Sequence, residues 1–178
     1  MSTAGKIWRG VALALAAWLT LLLLYVFARR FVYPYDLEWM EGGMLAHALR
    51  LANGEPIYAP PSVDFIPYLY TPGYPAVVFA LGKLFGIGYK LGRFVSLVGF
   101  FAVVVLGYVY ARREGGSRAA AACAIAIICA AFVPTGTFYD LARPDSLFMG
   151  LVTAGLLVGW WKRHSYAGGV AAALLLVA

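Results

Sequence analysis

Apolar residues run along this chain in long blocks, separated by short stretches where charge, proline and glycine collect. The first block covers about Val11 to Ala28, with Lys6 and Arg9 before it and Arg29 and Arg30 after it. A helix needs ~20 apolar residues to cross a bilayer, so this block predicts a first span over residues 8–30. It is long for the apolar core of a signal peptide, and arginines stand where a small-residue cleavage site would lie, which predicts an uncleaved anchor. Later blocks predict spans over 91–111, 119–137 and 146–161, and the start of a fifth over 167–178. Residues 73–88, GYPAVVFALGKLFGIG, are too short in their apolar part before Lys83 to cross, and predict a helix lying on the surface.

The pattern changes over residues 33–54, YPYDLEWMEGGMLAHALRLANG. Here Leu37, Met40, Met44, Leu45, Ala48, Leu51 and Ala52 gather on one helical face, as in a helix lying along an interface. Glu41 falls inside that apolar face. Its carboxylate must meet a cation, a metal or a ligand, or else become neutral, because a lone charge there is costly to desolvate. Asp36 stands where a helix N-cap is wanted, and Glu38 suits the positive end of the helix dipole. Asn53-Gly54 predicts the helix end. Residues 55–75 are rich in proline and tyrosine and predict a rigid loop, with Tyr58, Tyr68, Tyr70 and Tyr74 placed for an interfacial aromatic belt.

Composition strengthens the membrane reading. The chain is 63% apolar and only 12% charged, with a mean hydropathy of +0.81, against roughly 25% charged residues in soluble domains. The net charge of +6 is then a matter of topology, and no nucleic-acid partner is implied. If 73–88 does not cross, Lys6, Arg9, Arg112, Arg113, Arg118, Lys162 and Arg163 share the cytoplasmic side with the single acid Glu114, and the other seven of the eight acids lie outside. The opposite parity breaks the positive-inside rule. The expected architecture is an all-α integral membrane protein: a multi-span helical bundle in one domain, with a cytoplasmic N-terminus and extracytoplasmic amphipathic surface helices within an outer loop over 31–90.

This parity puts the loop FYDLARPDS on the same side as the acidic helix, so that Asp140, Arg143 and Asp145 converge with Asp36, Glu38 and Glu41. Ionisable residues gathered at a membrane boundary are candidates for a functional site. Pro144 predicts a helix start, with Asp145 in its first turn. Gly82 with Gly86, Gly88 with Gly92, and Gly155 with Gly159 have the spacing of close helix contacts. Cys123 and Cys129 fall on different sides of one helix, which argues against a disulfide. His47 and His164 belong to no metal-ligand spacing. There is no phosphate-binding loop, dinucleotide fingerprint or Gly-x-Ser-x-Gly motif.

The order of features resembles a known family: a first span, an acidic outer helix beginning at Asp36, NGEPIY, YTPGYP, LGRFVSLVGF opening the next span, and ARPDSLFMGL. This is similar to the N-terminal part of GT-C fold membrane glycosyltransferases, among them the bacterial relatives of protein O-mannosyltransferases and lipid A aminoarabinose transferases. The resemblance implies a site in the bacterial inner membrane and transfer from a polyprenyl phosphate sugar donor to an acceptor at the extracytoplasmic face. By the family's pattern Asp36 matches the catalytic base, Asp145 a second site acid, and Arg143 a phosphate contact, with Lys90 and Arg93 as further donor contacts. Glu38, Glu41 and Asp140 complete the substrate-binding set, and a divalent metal is compatible with it. Many relatives carry adjacent acids where Asp36 is followed by Leu37, which leaves the base open between Asp36, Glu38 and Glu41. The alternative reading is a non-catalytic, glycosyltransferase-like subunit that contacts membrane lipid within a larger membrane complex.

Overall fold

In the computed structural model, which describes residues 2–177, the chain forms seven helices. They are α1 (Thr3–Phe31), α2 (Met40–Ala52), α3 (Gly73–Phe85), α4 (Tyr89–Arg113), α5 (Arg118–Ala130), α6 (Pro144–Trp161) and α7 (Tyr166–Val177). Two of them, α1 and α4, are long and apolar enough to cross a membrane, while α3, α5 and α7 are shorter apolar helices. The ends of α1, α4, α6 and α7 fall within five residues of the expected positions.

α5 departs further from expectation. A helix was expected to continue to residue 137, but it ends at Ala130, and residues 131–136 form turns. Pro134 cannot continue the ladder, and Gly136 (φ 86°) and Thr137 (φ 63°) take left-handed backbone that ends it. At ~1.5 Å per residue, the remaining helix is only about 20 Å long.

α2 also starts later than its apolar face implies. Trp39 occupies the cap position without a side-chain hydrogen bond, and Asp36 does not cap the helix. Its place is taken by neighbouring glutamates: Glu38 Oε2 accepts from the Met40 amide and Glu41 Oε2 from the Leu37 amide. At the other end Asn53 is the C-cap and Gly54 is left-handed (φ 73°), as the sequence indicates.

Two apolar clusters hold the helices together. Met44, Leu45 and Ala48 of α2 pack with Tyr74 and Val78 of α3 and with Leu91 and Val95 of α4. Leu23 and Phe27 of α1 pack with Phe100 of α4, Cys129 of α5 and Phe132. The α4–α6 crossing is closest where glycine removes the side chain on both helices: a Cβ on Gly99 would overlap the Ser146 backbone, and one on Gly150 would lie 2.9 Å from the Gly99 carbonyl. The sequence spacing had pointed to other pairs, of which Gly92 meets Ala142, and Gly155 and Gly159 meet α7. Arg113 lies over the Trp161 ring at 4.3 Å, which brings the ends of α4 and α6 together, far from Glu41 and Arg93.

Candidate active site

One end of the helical assembly is built around an ion pair that the sequence separates by 52 positions. Arg93, near the start of α4, donates from Nε to Glu41 Oε1 (2.9 Å) and from Nη2 to Glu41 Oε2 (2.8 Å). Both side chains are fully buried. The rest of the guanidinium bonds to backbone: Nη1 donates to the Arg30 and Tyr33 carbonyls, and Nη2 to the Tyr35 carbonyl. All five N–H groups of Arg93 are thus used. Glu41 is equally occupied, because the Ala142 amide donates to Oε1 (2.8 Å) and the Leu37 amide to Oε2 (2.7 Å). Burial pushes the Glu41 carboxyl up, but hydrogen bonds from Arg93, Ala142 and Leu37 outweigh this and hold it below the ordinary range.

Glu41 has therefore met the cation that its place on an apolar face demanded. The consequence differs from the expected substrate contact: neither Arg93 nor Glu41 has a group left for a ligand. The pair instead ties the end of α1, residues 33–37, α2, α4 and residue 142 to one point. It thereby positions the two segments that carry the remaining candidates.

On one of these segments Arg143 joins two carboxylates. Its Nε donates to Asp145 Oδ2 and its Nη1 to Glu38 Oε2, each at 2.9 Å. Its guanidinium lies 4.2 Å from the Phe138 ring centroid, and its carbonyl accepts from Ser96 Oγ (2.9 Å), which fixes the backbone onto α4. Nη2 makes no hydrogen bond among the described residues. Burial works against the charged form, yet Asp145 and Glu38 raise the Arg143 pKa. Asp145 follows Pro144 in the first turn of α6, as the sequence indicates, and is partly exposed.

Asp36 is exposed and makes no ion pair among the described residues. Its carboxylate lies against the bare face of Gly42, where a Cβ would stand 3.1 Å from Oδ1 and 3.5 Å from the Tyr89 hydroxyl. Burial and then Asp36 raise the Tyr89 pKa, which keeps that phenol protonated beside the acid.

Asp140 is almost fully buried, and Arg30 Nη1 approaches Oδ1 at 3.1 Å. The approach lacks hydrogen-bond alignment, so both carboxylate oxygens are without a donor. Burial raises its pKa to about 6, with Arg30 only partly offsetting it. Lys90 is exposed and lines a cavity of about 630 Å³ between Tyr33, Pro34 and the α3–α4 joint. A second cavity of about 460 Å³ lies between α4, α5 and α6, apolar apart from Thr135, Tyr139, Ser146 and Asp145.

The expected convergence of Asp140, Arg143 and Asp145 with Glu38 and Glu41 is thus present, but the acids fall into distinct environments. Asp145 lines the apolar cavity and Asp36 does not. Sequence reasoning placed Tyr68 in an interfacial belt and passed over the Tyr89 hydroxyl; neither residue belongs to a local motif, and only the fold brings them to the acids. No group of three His, Cys, Asp or Glu side chains among the described residues is arranged to hold a metal ion. No protein-family model, curated protein or solved structure matches the chain.

Proposed function

We propose that the chain is an integral membrane protein whose acidic end faces the extracytoplasmic side, and that it works as a GT-C type glycosyltransferase on a polyprenyl phosphate sugar. The membrane reading is supported by α1 and α4, whose apolar windows are only 17% and 22% buried in the protein. A core helix of a soluble domain hides its apolar face, whereas these carry exposed Trp8, Leu15, Trp18, Leu21, Val98 and Val105. The basic end formed by Arg112, Arg113, Arg118, Lys162 and Arg163 fits the cytoplasmic side.

The observation that carries the catalytic reading is the state of Arg143. This guanidinium is held between Glu38 and Asp145 with Nη2 unspent, at the same end as Asp36, and both Asp145 and the Phe138 ring it lies over line an apolar cavity. A lipid phosphate asks for such a donor, with apolar surface beyond it for the chain. In the proposed reaction Asp36 accepts the proton of the acceptor hydroxyl as that oxygen attacks the anomeric carbon. The bond from that carbon to the lipid phosphate oxygen breaks, its electron pair leaves with the phosphate beside Arg143, and the configuration inverts.

A second reading, a non-catalytic subunit of a larger membrane complex, is favoured by one observation: Asp36 and Asp145 line no common cavity. Transfer from a radiolabelled polyprenyl phosphate sugar in membranes containing the chain separates the two. Loss of transfer in Asp36→Asn and Asp145→Asn, at unchanged protein level, supports the enzyme. Absence of transfer by the native chain, with co-purification in a larger assembly, supports the subunit.

A further inference from the structure

The phenol of Tyr68 is held with unusual care for a residue in a proline-rich loop. Its amide donates to His47 Nε2 at 3.1 Å. On the other side of that ring, Nδ1 lies 2.7 Å from the Gly43 carbonyl, which can only accept. Nδ1 therefore carries the proton and Nε2 the lone pair, a neutral tautomer set by two backbone groups. The Tyr68 ring also stacks on the imidazole (5.3 Å, 12°) and meets the Trp39 and Tyr70 rings edge to face at 5.8 and 6.4 Å. Its outer edge lies over the bare α-carbon of Gly43, where a Cβ would overlap it. After this immobilisation the hydroxyl itself makes no hydrogen bond among the described residues.

A cavity of about 260 Å³ opens beside this phenol. Gly42, Gly43 and Ala46 form its floor, and the turn at Val63–Ile66 faces Tyr68 across it. Gly42 also carries the Asp36 carboxylate against its α-carbon, so the acid touches a residue of the cavity floor without lining the cavity itself. Burial, then Glu38 and Asp36, raise the Tyr68 pKa, so the group presents a proton and not a charge. With Asp64 in the lining and Asp36 against Gly42, an anion is disfavoured and a neutral hydroxylated group is favoured.

We propose that this cavity is a subsite for a neutral, hydroxyl-bearing ring, in which Tyr68 donates a hydrogen bond to a ligand hydroxyl and His47 is the residue that positions Tyr68. The assignment deepens the glycosyl-transfer reading, where the subsite takes the acceptor beside Asp36, and it is tested without requiring transfer. The probe is a set of methyl hexopyranosides, with binding to the full chain in detergent followed by saturation-transfer NMR. Hydrogen exchange at the Tyr68 amide reports positioning independently.

Tyr68→Phe is expected to weaken binding about tenfold while leaving the amide protected. His47→Phe keeps an aromatic ring for stacking but removes the acceptor, so it is expected to expose the Tyr68 amide and weaken binding similarly. His47→Gln, which restores an acceptor, is expected to recover part of both. Absence of probe binding to the native chain, or equal binding by Tyr68→Phe, overturns the proposal. Binding that follows this pattern in a chain without transfer activity leaves the subsite standing and removes the enzyme reading.

Discussion

Arg93 and Arg143 lie at the same end of the molecule, both buried and both paired to glutamates of one segment, yet they are in opposite chemical states. Arg93 has spent its five donors, three on backbone carbonyls and two on a carboxylate that is itself full. Arg143 has spent two, on carboxylates that are partly exposed. A saturated guanidinium fixes chain segments, whereas an unsaturated one beside a cavity retains capacity for an anion. Burial and charge alone do not distinguish them; counting donors does.

The largest expected effect comes from breaking the saturated pair. Arg93→Met or Glu41→Leu leaves a buried charge without its partner, and each is expected to cost roughly 3–5 kcal/mol of stability, read as loss of folded protein and a lower unfolding midpoint in detergent. Arg93→Met with Glu41→Leu together is expected to cost less than the sum, because no lone charge remains. Equal, additive losses would remove the claim that the two act as one clamp.

Arg30 and Asp140 offer an intermediate case, an ion pair in which the acid has charge nearby but no aligned donor. The Asp140 carboxyl is raised from 3.8 to about 6, so the folded state holds the proton more tightly than the unfolded chain. Its contribution is fully present below the unfolded value and is lost as pH rises through about 6. The native chain is therefore expected to lose up to roughly 3 kcal/mol between about pH 4 and 7, at ~1.4 kcal/mol per pKa unit. Glu41, whose carboxyl is lowered, acts in the reverse sense and only at more acid pH. Asp140→Asn is expected to flatten the profile between about pH 4 and 7; an unchanged slope would assign the titration elsewhere.

The smallest effect is expected at Lys90, which is exposed and makes no ion pair among the described residues. Lys90→Ala is expected to change stability by less than about 0.5 kcal/mol. If the same change weakened donor binding as much as loss of Arg143 does, the cavity beside Tyr33 and Tyr89 would replace the one beside Asp145 as the phosphate site.

The sequence made some of this organisation legible and hid the rest for physical reasons. The blocks around α1 and α4, the Asn53-Gly54 stop, the Pro144 start and the gathering of acids toward the 140–145 loop follow from local pattern and charge parity. The demand for a Glu41 partner was also visible, because a carboxylate inside an apolar face must be satisfied. Its identity was not: the family resemblance made Arg93 a donor contact, and only the fold brings it within 2.8 Å of Glu41. Asp36 looked like a cap because Asp at that position often is one, but Glu38 and Glu41 supply the carboxylates for that turn. The early end of α5 escaped hydropathy, which continues through residues that Pro134 and Gly136 turn away from the helix. Tyr68 and His47 were hidden for a different reason, since stacking and a backbone-to-imidazole bond leave no motif behind.

The measurement that tests the comparison most directly is stabilisation by polyprenyl phosphate, read as the shift in unfolding midpoint of the detergent-solubilised chain, for the native protein and for Arg143→Lys. Lysine keeps the charge but not the planar fork. A ligand-dependent upward shift is expected in the native chain. Arg143→Lys is expected to show a similar midpoint without ligand and a binding loss of ~10–100-fold, as for a hydrogen bond to a charged group. An equal shift in both proteins, or a ligand-free midpoint that collapses in Arg143→Lys as it does in Arg93→Met, would make Arg143 a second structural clamp and contradict the account.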